Sequence, residues 1–271
     1  MAVLGTGAMG ARVAQRLLVA GHEVRVFNRT RSHAEPLVAH GAMVADSARD
    51  ALRGADVVIS MVTDDAASRA VWLDADTGAL VDVPTGALVL ESSTVSPEWT
   101  RTLGAAARAR GVRFLDAPVL GSRPQAEAGQ LIYLVGGAAE YVDAVRPVLA
   151  ALSAAVHHVG GVGDGATAKL AVNALFATQV AAVAEWVKVL PGAVLDVLHE
   201  LPVMSPAASG ALGLMRAGKT APLFPISLMA KDLRYAQALA EELPVTRAVG
   251  ARFAEAEGRG LGSLNISAVG G

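Results

Sequence analysis

Apolar positions in the first half of the chain follow two alternating rhythms. Short aliphatic runs at residues 2–4, 23–27, 42–45, 56–61, 87–91, 113–115 and 131–136 read as strands. Between them lie Ala-rich stretches with apolar residues at helical spacing. Residues 8–20 put Val13, Leu17 and Leu18 on one face and stop at Gly21, and residues 32–40 stop at Gly41. Residues 47–54 open on Ser47 as an N-cap, and residues 97–110 begin at Pro97 and close at Gly111. Strand–helix alternation of this kind predicts an α/β fold with a doubly wound parallel sheet and right-handed crossovers.

The rhythm changes at Gly160-Gly161-Val162-Gly163. From there on only helical spacing remains, at residues 165–189, 193–200, 207–216, 227–242 and 247–257. We therefore expect an N-terminal domain over residues 1–160 and an all-α domain over residues 161–271, the glycines permitting the bend. Residues 170–183 carry few polar side chains on any face. A helix apolar all round must be covered on all sides, so a second subunit is expected against it, as a homodimer or homotetramer.

Composition narrows the classes. Of 271 residues, 53% are apolar and 18% charged, enough for a sizeable core and too apolar for a disordered chain. Net charge is −2 with no long run of one sign, so no nucleic acid or anionic membrane surface is expected as a partner. The absence of cysteine removes disulfides, thiolate metal sites and cysteine nucleophiles together. His157 and His158 are adjacent and would diverge on a strand, and the other histidines stand alone, so no metal site is expected. The N-terminal residues lack the basic and apolar regions of a secretory signal, and apolar runs fall short of the ~20 residues of a bilayer span. A soluble, cytoplasmic protein is the expectation.

Gly5-Thr6-Gly7-Ala8-Met9-Gly10 has the spacing G-x-G-x-x-G between a strand and a helix. This is the context of a Rossmann dinucleotide turn: Gly5 for the tight turn, Gly7 for close approach of a pyrophosphate, Gly10 for helix–strand packing. Free N–H groups at the helix start would hold the phosphates. The second strand ends Asn28-Arg29-Thr30, with no acid to accept from a ribose 2′-hydroxyl. Asn28 can bond neutrally, Arg29 can pair with a 2′-phosphate, and Thr30 and Arg31 add a hydroxyl and a second charge, which makes NADP(H) preferred and NAD(H) the second cofactor. Met61-Val62-Thr63 ends another strand, at the edge where open α/β sheets bind ligands.

Four motifs in order resemble the β-hydroxyacid dehydrogenase family, which includes 3-hydroxyisobutyrate dehydrogenase and the glyoxylate/succinic semialdehyde reductases. They are residues 5–10, Asp116-Ala117-Pro118-Val119-Leu120-Gly121-Ser122, Gly163-Asp164-Gly165-Ala166-Thr167-Ala168-Lys169 with Asn173, and Lys231-Asp232-Leu233. Residues 121–131 and the ending Leu261-Gly262-Ser263-Leu264 look most like the reductase branch. The resemblance implies an NAD(P)-dependent enzyme that moves a hydride between a nicotinamide and a small aldehyde or hydroxy acid. Taken alone, Lys169 is either a snorkelling lysine at the hinge or a proton donor. The resemblance implies the second, with Asn173, one helical turn on, orienting lysine or substrate. It also implies that Thr94 sits where nicotinamide ribose and substrate meet, that residues 116–122 form the substrate loop, that Lys231 reaches the cofactor, that Asp232 anchors that region, and that Phe224 lines the pocket.

One departure matters. The family loop usually carries a serine where this chain has Leu120, followed here by Gly121, Ser122 and Arg123. Leucine removes a donor and adds bulk, which favours a less polar substrate group. An imine-reducing enzyme on the same scaffold is therefore one alternative, although such relatives generally lack the lysine. A non-catalytic cofactor-binding module is the other.

Overall fold

Neighbouring strands in the first half of the chain end on a common line, and that line organises the molecule. The computed structural model describes residues 1–271, and the chain divides into two units, Met1–Lys169 and Leu170–Gly271.

The first unit is built on nine strands: β1 (Ala2–Leu4), β2 (Arg25–Phe27), β3 (Met43–Val44), β4 (Val57–Ser60), β5 (Leu88–Glu91), β6 (Arg113–Asp116), β7 (Val119–Leu120), β8 (Leu131–Gly136) and β9 (Ser153–Gly160). They form one sheet in the order β3-β2-β1-β4-β5-β6-β8-β7, with β9 also paired to β8. β1 to β6 run parallel, and the order reverses beside β1. Strands this short work because both faces are covered. Successive side chains point to opposite faces: Val3, Val26 and Ile59 join one core with Val13, Ala14 and Leu17 of helix α1 (Gly10–Val19). Ala2, Leu4, Val58 and Val89 join the other, against Trp72 of α3 (Asp65–Leu73) and Trp99 and Leu103 of α4 (Pro97–Ala109). Each buried Val or Leu contributes about 1.5–3 kcal/mol. The remaining helices of this unit are α2 (Ala48–Ala51), α5 (Arg123–Ala128) and α6 (Ala139–Leu149).

Helix α7 (Asp164–Trp186) begins in the first unit and runs into the second, which adds α8 (Gly192–Glu200), α9 (Pro206–Arg216), α10 (Ile226–Gln237) and α11 (Pro244–Ala256). The core of the second unit brings Ala177, Val180, Ala181 and Ala184 of α7 against Ile226, Met229 and Leu233 of α10 and Phe253 of α11.

Several expectations need correction. The sheet is mixed: β8 runs antiparallel to β6 and β7. The segment 121–130, which holds the short helix α5, reverses the chain between β7 and β8. β7, β9, α3, α5 and α6 were not anticipated, although α6 carries Val142, Val145 and Leu149 at helical spacing and buries them in the core. Residues 31–40 form two 3₁₀ turns, Arg31–His33 and Glu35–His40, because Pro36 has no N–H to offer a continuous helix. The segment after Ser47 is a single turn, with Ser47 capping it by accepting from Asp50 N at 3.0 Å. α10 stops at Gln237 rather than at residue 242, and Pro244 then opens α11. α7 is 23 residues long and holds an 18-residue window with a mean hydropathy of 1.3, so by length and composition it could cross a membrane, contrary to the shorter run expected from the sequence. Polar residues such as Asn173 lower hydropathy locally without breaking a helix. Nor is α7 covered all round: Val172, Leu175 and Trp186 are exposed, Leu175 to 68%.

Candidate active site

Residues Leu4, Phe27, Ser60, Glu91 and Asp116 lie in register across β2, β1, β4, β5 and β6. The loops that follow them emerge together at the carboxyl edge of the sheet, beside the point where strand order reverses. In open α/β sheets this is the ligand-binding position.

The glycine turn leaves β1 there. A Cβ on Gly5 would strike the Met61 carbonyl, and one on Gly10 would strike the Gly5 carbonyl oxygen, so both glycines are required by the protein's own packing. Gly7 differs, because a Cβ there would meet nothing within 4 Å. Thr6 is buried with its hydroxyl unpartnered. An exposed glycine beside open space and a buried hydroxyl without a partner fit a ligand that approaches this backbone, and a dinucleotide phosphate has the required shape and charge. Ala8 and Met9 lead into α1, whose helix proper starts at Gly10 rather than residue 8.

Asn28 is spent on the protein. Its Oδ1 accepts from Thr6 N at 2.9 Å, and its Nδ2 donates to the Thr30 carbonyl at 2.9 Å. It ties the end of β2 to the glycine turn, which the sequence reading did not foresee. Arg31 is held by Asp46 at 2.7 Å and Glu35 at 3.5 Å. Arg29 is exposed and makes no ion pair.

Met61 is buried, Val62 half-buried and Thr63 exposed at the end of β4. Thr94 is half-buried. The cap of α4 is Ser96: its Oγ accepts from Trp99 N at 3.1 Å and donates to Asp65 Oδ2 at 2.5 Å. Beneath these loops lies a group that sequence reasoning missed, the fully buried Glu91. Ser68 Oγ and Trp72 Nε1 donate to its Oε2 at 2.6 and 3.0 Å, and Ser93 N donates to Oε1 at 3.0 Å. Burial pushes its carboxyl up, against the pull of these donors. The available signal was an acid closing the apolar run Leu88-Val89-Leu90.

The loop after β6 divides its work. Asp116 accepts from Gly163 N at 2.9 Å and Ala166 N at 2.8 Å, so its carboxylate clasps the start of α7. Burial nonetheless pushes that carboxyl up as well. Leu120 ends β7 half-buried, and Gly121 has φ +111°, a conformation that favours glycine. Ser122 forms a capping box at α5: its side chain accepts from the Gln125 amide, and its own N–H donates to Gln125 Oε1 at 2.9 Å. Both polar groups of Ser122 are thus engaged with the loop itself.

Lys169 is buried, with 8% of its surface exposed, and Asn173 follows one turn later on α7 with 4%. In the second unit, Asn173 Nδ2 donates to Asp232 Oδ2 at 2.7 Å, and Lys231 Nζ lies 2.9 Å from Asp232 Oδ1. Phe224 packs partly buried against the core of that unit, its N–H donating to Asn265 Oδ1 at 2.9 Å. No group of three or more His, Asp or Glu side chains is placed to hold a metal ion.

Comparison with known proteins places both units in described families. Residues 1–160 match the family described as the NAD binding domain of 6-phosphogluconate dehydrogenase. Residues 163–269 match the family described as NAD-binding of NADP-dependent 3-hydroxyisobutyrate dehydrogenase. The chain is 40% identical to an NAD-dependent L-serine dehydrogenase of Pseudomonas aeruginosa, over 89% of its length and 85% of the relative's. It is 33% identical to glyoxylate/succinic semialdehyde reductase 1 of Arabidopsis thaliana, over 98% and 95%. Among solved structures, 3-hydroxyisobutyrate dehydrogenase of Mycobacterium tuberculosis with L-serine superposes with a TM-score of 0.89 at 30% identity, covering 99% of this chain and 97% of that one.

Proposed function

This chain belongs to the β-hydroxyacid dehydrogenase family, and we propose that it interconverts a small aldehyde acid and the matching hydroxy acid with NADP(H), Lys169 moving the proton. Membership makes it an NAD(P)-dependent oxidoreductase acting on hydroxyl groups. The substrate, the preferred nucleotide and the role of each residue are our reading.

The observation that carries it is the burial of Lys169 one turn before Asn173, whose side chain is fixed by Asp232. A buried amine is costly in an apolar helix unless it is paired or hydrogen-bonded. When bound, the nicotinamide supplies or takes up the hydride. Lys169 donates a proton to the oxygen that becomes hydroxyl in reduction and accepts it back in oxidation. Asn173, held from behind, orients the lysine or the substrate oxygen. Thr94 in the first unit and Lys231 in the second are assigned to the nucleotide, and Phe224 to the substrate. At the sheet edge, Gly5, Thr6, Gly7, Ala8, Met9 and Gly10 hold the phosphates, with Met61, Val62 and Thr63 flanking them.

Preference for NADP(H) rests on Arg29, whose guanidinium has no acidic partner, while Arg31 is engaged by Asp46 and Glu35. NAD(H) is the second cofactor, in keeping with the NAD-dependent serine dehydrogenase relative. Since the Ser122 amide is committed to Gln125, Gly121 is left to hold the substrate's acid end, beside the apolar Leu120. A second copy of the chain covers the exposed Val172, Leu175 and Trp186 of α7, giving a homodimer or homotetramer.

The test is a turnover panel. Glyoxylate, succinic semialdehyde and a cyclic imine are offered with NADPH and NADH, and L-serine and 3-hydroxyisobutyrate with the oxidised nucleotides. Turnover of an acid substrate that is lost in Lys169→Ala, with nucleotide binding kept, supports the reading. Turnover of the imine alone would transfer the chain to the imine-reducing reading that Leu120 raises. Nucleotide binding with no turnover at all would leave a binding module.

A further inference from the structure

Glu91 has no place in the reading above, yet it is wholly buried and hydrogen-bond donors from two elements converge on it. Ser68 Oγ and Trp72 Nε1 come from α3, and Ser93 N from the loop after β5. Trp99 Nε1 of α4 donates to Ser68 Oγ at 2.9 Å, which turns the Ser68 proton toward the carboxylate. Ser93 does not stop at Glu91: its Oγ accepts from Val62 N at 2.8 Å, joining the end of β5 to the end of β4. Val62 in turn packs on the glycine turn, its Cγ1 lying 3.0 Å from where a Gly5 Cβ would stand. A continuous set of contacts therefore runs from Glu91 through Ser93 and Val62 to Gly5.

We propose that Glu91 is a positioning residue for the dinucleotide, its carboxylate fixing Ser93 and Val62 so that the edge under the glycine turn is preset before the nucleotide arrives. This rests on the dinucleotide reading of that turn. The chemistry of a carboxylate is what the position requires. Both oxygens accept, and donors occupy both sides. A glutamine has the same shape but offers one accepting oxygen and one NH₂. Two donors face Oε2 and the Ser93 amide faces Oε1, so the amide oxygen settles on the Ser68–Trp72 side. Its NH₂ then opposes Ser93 N–H, and the arm that leads to Val62 is the one released. A purely structural carboxylate would lower stability in whichever way it were cut. A positioning carboxylate affects nucleotide binding only through the Ser93 arm.

The experiment measures dissociation constants for NADPH and NADH by fluorescence titration, alongside melting temperature, for wild type, Glu91→Gln, Ser93→Ala and Trp72→Phe. Glu91→Gln and Ser93→Ala are expected to weaken nucleotide binding about tenfold, the equivalent of losing one well-placed hydrogen bond (~1.4 kcal/mol). Trp72→Phe removes a donor from the other oxygen and is expected to lower the melting temperature with affinity within about twofold of wild type. If Glu91→Gln does not fold, Ser93→Ala decides, since its hydroxyl carries the link to Val62. Folded Ser93→Ala or Glu91→Gln proteins that bind as wild type does would overturn the proposal, as would an equal affinity loss in Trp72→Phe. Failure of the wild type to bind either nucleotide would instead overturn the dinucleotide reading itself.

Discussion

One carboxylate, that of Asp232, holds Asn173 and Lys231 with its two oxygens, at 2.7 Å and 2.9 Å. The three residues come from two helices of one unit, and all are nearly enclosed. Asp232→Asn keeps the shape and removes the charge. It leaves the Lys231 ammonium without its counter-ion and lets the Asn173 amide turn. Expected are a loss of about 2 kcal/mol in stability by urea unfolding and a fall of at least about tenfold in kcat/KM, as one transition-state contact is lost. An unchanged kcat/KM would show that neither Asn173 nor Lys231 needs to be held.

Lys169→Met tests the proton step without opening a cavity. The variant is expected to lose about 10²–10⁴ in kcat, the usual worth of a general acid. Nucleotide affinity should stay close to that of wild type. Parallel loss of both would mean that the lysine binds nucleotide rather than moving a proton.

Arginines 29 and 31 are expected to behave differently although they are near neighbours in sequence. Arg29→Ala should raise KM for NADPH about tenfold and leave KM for NADH unchanged, since one charged phosphate contact is removed. Arg31→Ala removes contacts to Asp46 and Glu35 on the surface and should alter neither by more than about twofold. Equal effects on both nucleotides would remove the argument for NADP(H).

The glycines of the turn separate folding from binding. Gly10→Ala would force a methyl group onto the Gly5 carbonyl and is expected to cost about 1–3 kcal/mol or more in stability. Gly7→Ala has open space and should melt as wild type does while losing nucleotide affinity. Calorimetry and a binding titration on the two variants distinguish the outcomes; a Gly7→Ala protein that binds normally would place the phosphates elsewhere.

Acidity provides a further check. Burial pushes the Asp116 carboxyl up, more strongly than the Gly163 and Ala166 amides pull it down. The folded chain then holds this proton more tightly than the unfolded chain. Its contribution favours folding below the ordinary carboxylate pKa and is lost as pH rises through the raised value. Between those values wild type should gain stability over Asp116→Asn as pH falls, by up to about 1.4 kcal/mol per pH unit. Urea unfolding of both proteins from about pH 4 to pH 7 measures the gap; parallel curves would refute it.

Much of this was legible in the chain because period and punctuation are local properties. Val3, Val26 and Ile59 follow the two-residue period of a sheet buried on both faces, and Gly21, Gly41 and Gly111 end their segments as expected. The glycine turn could be read because its spacing is itself the signal, whereas Lys169 and Lys231–Asp232 stood out only through the family resemblance. What stayed hidden depends on distant partners. Nothing near Asn28 says that its Oδ1 will accept from Thr6, far off in sequence; the capping box that engages Ser122 is by contrast local, its Ser-x-x-Gln spacing a signal the sequence itself carries. Glu91 reads as an ordinary strand end because Ser68 and Trp72 reach it only once α3 has folded back over β5. The reversed direction of β8 was invisible for the same reason, since pairing sense is a property of two strands and not of one.

The chain contains three tryptophans. Trp72 and Trp99 are sealed in the first unit at 1% and 2% exposure, whereas Trp186, at the end of α7, is 54% exposed. Iodide in solution can therefore collide with a single indole, and the emission it dims reports the state of α7 alone. If copies of the chain cover that helix end, quenching will fade and the residual signal will shift to the blue as protein concentration rises, with no dye or label attached. A collisional response indifferent to dilution would mean that the helix end stays wet in every assembly the chain forms.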